Sequence, residues 1–115
     1  MTYEYFLFLD DIRYPGDAFT GPKQPVLKWH IARSTNDAQW YVKNYGVPQF
    51  ISFDHDLGAL DDTGYDFAKW LIDYLLDNNK NLPQGFSYYV HSQNPVGRKN
   101  IQSLMDNYMG VENNG

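Results

Sequence analysis

Three apolar runs in this chain each stop on an acid or an imidazole. Tyr5-Phe6-Leu7-Phe8-Leu9 runs into Asp10-Asp11, Phe50-Ile51-Ser52-Phe53 into Asp54-His55-Asp56, and Phe86-Ser87-Tyr88-Tyr89-Val90 into His91-Ser92. A short apolar run bounded by turn residues reads as a buried strand, and Leu57-Gly58 supplies the turn after the middle one. Strands that are apolar at nearly every position belong to a parallel sheet covered on both faces. In an open α/β sheet, ligands bind outside the carboxyl ends of the strands. The pattern therefore constrains both the class of fold and the edge where function is expected.

Between these runs the chain alternates. Residues 26–32 place Leu27, Trp29 and Ile31 on one side and Lys28 and His30 on the other, which predicts an edge strand with a solvated histidine. Ser34-Thr35-Asn36-Asp37 starts a helix that Gly46 and Pro48 stop. Thr63-Gly64-Tyr65-Asp66 starts another, whose stripe of Phe67, Trp70, Leu71, Tyr74 and Leu75 predicts a helix over 64–78 with Asp66 in a capping role. Asn94-Pro95 caps and opens the last helix, with Ile101, Leu104, Met105 and Tyr108 as its apolar stripe. Pro15, Gly16, Gly21, Pro22 and Pro25 break the segment after the first strand, so 12–25 reads as a loop beside the site. Residues 111–115 read as a frayed tail. The expectation is one α/β domain over 1–110. It is a small three-layer sandwich with a four-stranded parallel sheet in order 2-1-3-4, its first helix replaced by a loop. Strands 1 and 3 are then neighbours, and Asp10, Asp11 and Asp54 meet where the strand order reverses.

The chain is long enough for one domain, and its 115 residues are 43% hydrophobic and 17% aromatic, which supports a core without covalent staples. It has no cysteine, so disulfides and thiolate metal ligands are excluded. No apolar run approaches membrane-spanning length, and Met1-Thr2-Tyr3-Glu4 lacks the features of a signal peptide. A cytoplasmic protein without a membrane partner is expected. A net charge of −5 disfavours a long nucleic-acid duplex but allows a small phosphorylated ligand in a local basic pocket.

Asp10, Asp11, Asp54 and Asp56 at one edge would repel one another, and a hard cation such as Mg²⁺ or Mn²⁺ would relieve that repulsion. For Asp11 and Asp56, a turn-capping or solvated place is an equal alternative. His91 and His55 are the candidate proton-transfer groups, one giving and one taking a proton. A backbone-bonded histidine is the alternative, and for His55 the two stand even. At the start of the last helix, cations are normally disfavoured. Arg98 and Lys99 sit there nonetheless, beside Gly97, which points to a bound phosphate held by Asn94, Gly97 and Arg98, with Lys99 on the solvated face. Ser92 follows His91 at the same edge, and Arg13 can pair with an acid or reach the phosphate.

Two acids after the first strand, one after the third and a hydroxyl after the next resemble the receiver domains of two-component signalling, with Asp10, Asp11, Asp54 and Ser92 in the matching places. That resemblance implies Mg²⁺ on the acids and a phosphoryl group on Asp54. The expected loop in place of the first helix and the expected absence of a fifth strand carrying the receiver lysine both depart from it. The fuller set is Leu-Phe-Leu-Asp-Asp-Ile-Arg at 7–13, Ser-Phe-Asp-His-Asp-Leu-Gly at 52–58, Thr-Gly-Tyr-Asp at 63–66 and Val-His-Ser-Gln-Asn-Pro-Val-Gly at 90–97. It resembles the cyclic-phosphate-processing receiver-like family, which implies action on a small cyclic-phosphate ligand.

The expected reaction is metal-assisted hydrolysis of a cyclic phosphodiester to a phosphomonoester. The substrate is a cyclic nucleotide or a 2′,3′- or 1″,2″-cyclic phosphate. His91 is the expected acid, His55 or an acid beside it the base, and Asp54 a catalytic carboxylate. Alternatives are a binding protein that sequesters a cyclic nucleotide, a phosphoacceptor receiver, and a haloacid-dehalogenase-like phosphatase with Asp54 attacking and Asp56 as acid.

Overall fold

The computed structural model describes residues 4–15, 28–58 and 62–110. Strands β1 (Phe6–Leu9), β2 (Trp29–Ala32), β3 (Phe50–Phe53) and β4 (Ser87–Val90) form one sheet in the order β2-β1-β3-β4. Every pairing is parallel, with Leu9 level with Ala32 on one side and Phe53 on the other, and Phe53 level with Val90. The described helices are α1 (Thr35–Tyr45), α2 (Gly64–Asp77) and α3 (Pro95–Met109). The strand order, the parallel pairing and the three helices are the receiver-like α/β arrangement expected from the sequence. The described helices all cover one face of the sheet, so the third layer of the expected sandwich is not among the described residues. Most of the loop expected over 12–25, namely residues 16–25, lies outside the described residues, as do the frayed tail at 111–115 and the start of the strand expected over 26–32.

Local chemistry sets each helix start. Ser34 Oγ accepts from Asp37 N–H, Thr63 Oγ1 from Asp66 N–H and Asn94 Oδ1 from Gly97 N–H, at 3.1, 3.1 and 3.0 Å. Caps of this kind contribute about 1 kcal/mol each. The connections from β2 to β3 and from β3 to β4 both run the same way along the sheet, so right-handed crossovers put α1 and α2 on one face. There Ala38, Val42, Phe67, Leu71, Leu75, Ile101 and Met105 close over Leu7, Leu9, Ile51 and Phe53 in a single core. Leu71→Ala in this wall would cost about 2–5 kcal/mol.

The other face carries Phe6, Phe8, Trp29 and Phe50, ring against ring at 5.8–6.1 Å. The pleat alternates, so Asp10, Asp54 and His91 continue the side of Phe8 and Ser52 as the chain leaves the sheet. His30 differs from expectation. It is half-buried rather than solvated, with Tyr5, Tyr41 and Tyr45 packed around its ring at 5.2, 5.3 and 5.7 Å, because α1 folds back over the edge strand. No helix among the described residues is long and apolar enough to cross a membrane.

Candidate functional site

The ends of β1, β3 and β4 bring Asp10, Asp54 and His91 together, with one donor atom from each lying within 4.8 Å of the others. Their level is set by the ladder itself. Asp10 N–H donates to Ala32 O, Asp54 N–H to Leu9 O and His91 N–H to Phe53 O, at 3.1, 2.9 and 2.9 Å. Gly64 allows the next element to close behind them. A Cβ there would stand 1.9 Å from Asp54 O, so only glycine lets the start of α2 abut the end of β3 and donate its N–H to His55 O.

Asp10 is fully buried and fully bonded. Ile12 N–H and Arg13 N–H donate to Oδ1 at 3.0 and 2.8 Å, and Arg13 Nε donates to Oδ2 at 2.9 Å. His91 Nε2 lies 3.1 Å from the same Oδ2. Burial alone would raise this carboxyl, but the N–H groups of Arg13 and Ile12, the His91 bond and the guanidinium charge together hold it below its ordinary 3.8. An ionised Asp10 only accepts, so His91 carries its proton on Nε2, and Nδ1 accepts from the Ser52 hydroxyl at 2.7 Å. The ring also lies flat on Phe8, with centroids 4.5 Å apart and planes within 5°. Burial pushes the His91 pKa down to about 4, against the pull of Asp10.

Ser52, His91 and Asp10 thus follow the order of a hydrolytic triad, yet Ser52 and the His91 side chain are completely buried. No substrate reaches that hydroxyl. The relay ties β3, β4 and β1 together and fixes the orientation of Asp10.

Asp54 is the opposite case. Its Oδ1 accepts from His55 N–H at 2.8 Å and its Oδ2 from Arg13 Nη2 at 3.3 Å. Burial and the charge of Asp10 raise its pKa above 3.8, and the two donors only partly offset them. One guanidinium therefore spans both carboxylates. The loop that carries it is held from β2, where Arg33 Nη1 donates to Arg13 O and Asp10 O at 2.6 and 3.2 Å, with its guanidinium 4.6 Å over the Tyr14 ring.

A cavity of about 480 Å³ opens beside this pair, lined by Asp11, Ile12, Arg13, Asp54, Asp56, Ser92, Gln93 and Asn94. A cavity of about 550 Å³ at the other end of the sheet is lined by Glu4, Gln49, Lys80 and others. The first is the candidate site, because the perturbed carboxyl and the convergent donors lie there and not at the second. Ser92 Oγ accepts from Asn94 N–H at 3.1 Å, which leaves its own hydrogen for an acceptor.

The expected residues divide. Arg13, Asp54, Ser92 and Asn94 line the cavity. Asp11 and Asp56 stand on its wall but apart from the Asp10–Asp54 pair. A Cβ on Gly58 would stand 2.7 Å from Asp11 Oδ2, while exposed Asp56 bonds His55 Nδ1 at 3.0 Å. His55 is not among the lining residues; its ring rests against Gly97. Gly97 N–H is taken by Asn94 Oδ1 and Arg98 N–H by Asn94 O, and the Arg98 side chain is exposed, outside the cavity wall. His91 sits beneath the cavity, enclosed and neutral at pH 7. Ser52, Phe8 and Arg33 support the site from behind and are not among the residues expected from the sequence. A lone hydroxyl inside the apolar Phe-Ile-Ser-Phe run was the available signal for Ser52, since a buried hydroxyl needs a partner.

The four acceptor positions of Asp10 are filled by Ile12, Arg13 twice and His91, and the His91 nitrogen nearest the acids bears a proton. In this arrangement Asp10 offers no open acceptor to Mg²⁺ or Mn²⁺, and a cation held between Asp10 and Asp54 would have to displace the Arg13 guanidinium. Searches of curated proteins and of solved structures return no match. The model of the cyclic-phosphate processing receiver domain family matches residues 5–107, and the chain belongs to that family.

Proposed function

We propose that the protein hydrolyses a small cyclic phosphodiester to a phosphomonoester in the cavity beside Asp54. The observation that carries this reading is the setting of Asp54. It is a buried carboxyl with a raised pKa, on the wall of a cavity that also presents Arg13, Ser92 and Asn94. A buried carboxyl with a raised pKa on a cavity wall is a candidate for proton transfer. Arg13, the Ser92 hydroxyl and the Asn94 amide offset charge on the non-bridging oxygens and hold the phosphate. Exposed Ile12 offers an apolar wall to the organic part of the ligand.

Water attacks phosphorus and Asp54 takes its proton. The ring P–O bond breaks, and the departing oxygen receives a proton from solvent at the cavity mouth. The product is a phosphomonoester with a free hydroxyl. His91 acts through Asp10 as a positioning residue, since its neutral, enclosed ring has no free proton to give.

The test is single-turnover hydrolysis of a panel of cyclic phosphates by wild type and Asp54→Asn. Loss of the proton-transfer group should slow cleavage by about 10²–10⁴ while binding stays within a few-fold. Binding without cleavage by the wild type would replace hydrolysis with sequestration.

A further inference from the structure

Asp10 and Asp54 are two carboxylates at the point where a sheet of this kind binds its ligand, and their repulsion has to be offset. The offsetting charge is already part of the chain. Arg13 sits three residues after Asp10, and the Asp10 carboxylate folds the intervening turn by accepting from the N–H groups of Ile12 and Arg13. That turn aims the guanidinium back, with Nε on Asp10 Oδ2 at 2.9 Å and Nη2 on Asp54 Oδ2 at 3.3 Å. Arg33 then pins the carbonyls at both ends of the turn, Asp10 O and Arg13 O.

We propose that Arg13 is the resident cation of this site: it bridges Asp10 and Asp54 in place of a divalent metal and presents its remaining nitrogen to the phosphate of the ligand. Nη1 has no partner among the described residues, the side chain is 30% exposed, and it lines the cavity. A planar guanidinium suits this double role, because its fork serves two carboxylates and still leaves donors for an anion. A lysine could not, having a single point of charge. The bridge also accounts for a chain that keeps receiver-like acids while leaving Asp10 with no acceptor position for a metal.

The inference rests on the cyclic-phosphate reading only for the identity of the ligand. Its metal readout is independent of turnover. Mn²⁺ is titrated into wild type, Arg13→Ala and Arg13→Ala/Asp54→Asn and followed by electron paramagnetic resonance. Removing a like charge a few ångströms from two carboxylates should tighten Mn²⁺ binding by on the order of a hundredfold in Arg13→Ala. The double variant should lose that gain. A nucleoside 2′,3′-cyclic phosphate should shift the wild-type melting temperature equally in EDTA and in Mg²⁺. Arg13→Lys should not restore wild-type affinity for it. Wild type binding Mn²⁺ as tightly as Arg13→Ala would overturn the proposal, as would a cyclic-phosphate shift that requires Mg²⁺. If circular dichroism shows Arg13→Ala unfolded, the wild-type arms decide alone: an Asp54-dependent Mn²⁺ site in wild type overturns it, and EDTA-insensitive ligand binding without one supports it.

Discussion

Gly97, at the start of α3, lies against the imidazole of His55 so closely that a Cβ on it would stand 2.3 Å from His55 Cγ. The glycine is there for a side chain of its own protein. Gly97→Ala should push the ring out of place, break its bond to Asp56 and cost about 1–3 kcal/mol, the usual range for overpacking. Chemical denaturation checks this. Adding His55→Ala should recover most of the loss, and no recovery would show that the strain lies elsewhere.

His91 makes folding sensitive to mild acid. Its folded pKa is about 4 against 6.5 in the open chain, so between those values the unfolded state takes up a proton that the folded state refuses. Stability should therefore fall as pH drops from 6.5 to 4, by roughly 3 kcal/mol in all. Asp10, held low, contributes stability that is lost only as pH falls below its ordinary 3.8. Asp54, held high, works the other way, since the folded state takes up its proton first. Denaturant midpoints of wild type and His91→Asn across this window separate these effects. The variant should be flatter, and an equal slope would mean that His91 is not kept neutral by the fold.

Arg33 reaches the site through two backbone carbonyls and the Tyr14 ring, and so governs the turn that carries Arg13. Arg33→Ala leaves Asp10 O and Arg13 O without that donor and should cost about 1–3 kcal/mol. Amide hydrogen exchange at Ile12 and Arg13, whose N–H groups bond Asp10 Oδ1, should quicken more than exchange in α2. Uniform change across the chain would reduce Arg33 to a general stabiliser.

As the base, Asp54 must be ionised. The acid limb of kcat/KM should then lie above 3.8, with activity lost as pH falls through the raised pKa of this group. Arg13→Gln removes the charge that partly holds Asp54 down and should move that limb to higher pH. A limb that stays put would place the proton transfer on another residue.

The strands, their order and the convergence of Asp10, Asp54 and His91 were legible because apolar runs, caps and breakers act locally, and parallel topology then leaves few arrangements. The roles within the site were less so. Whether His91 gives up a proton depends on Ser52, Phe8 and Asp10, which come from other strands. Arg13 rather than Arg98 lines the cavity because the Asp10 carboxylate folds the turn that leads to Arg13, a contact that spacing suggests but does not dictate. Gly97 looked like a phosphate cradle because the sequence does not reveal that His55 lies against it.

The cavity beside Asp54 should turn over a cyclic phosphate without a divalent cation. The most direct measurement is phosphorus NMR of wild-type protein with a nucleoside 2′,3′-cyclic phosphate, followed with and without Mg²⁺. The cyclic signal should give way to that of a phosphomonoester in both samples, at a rate that Asp54→Asn lowers by about 10²–10⁴. A cyclic signal that persists in both samples, with protein that demonstrably binds the compound, would contradict it.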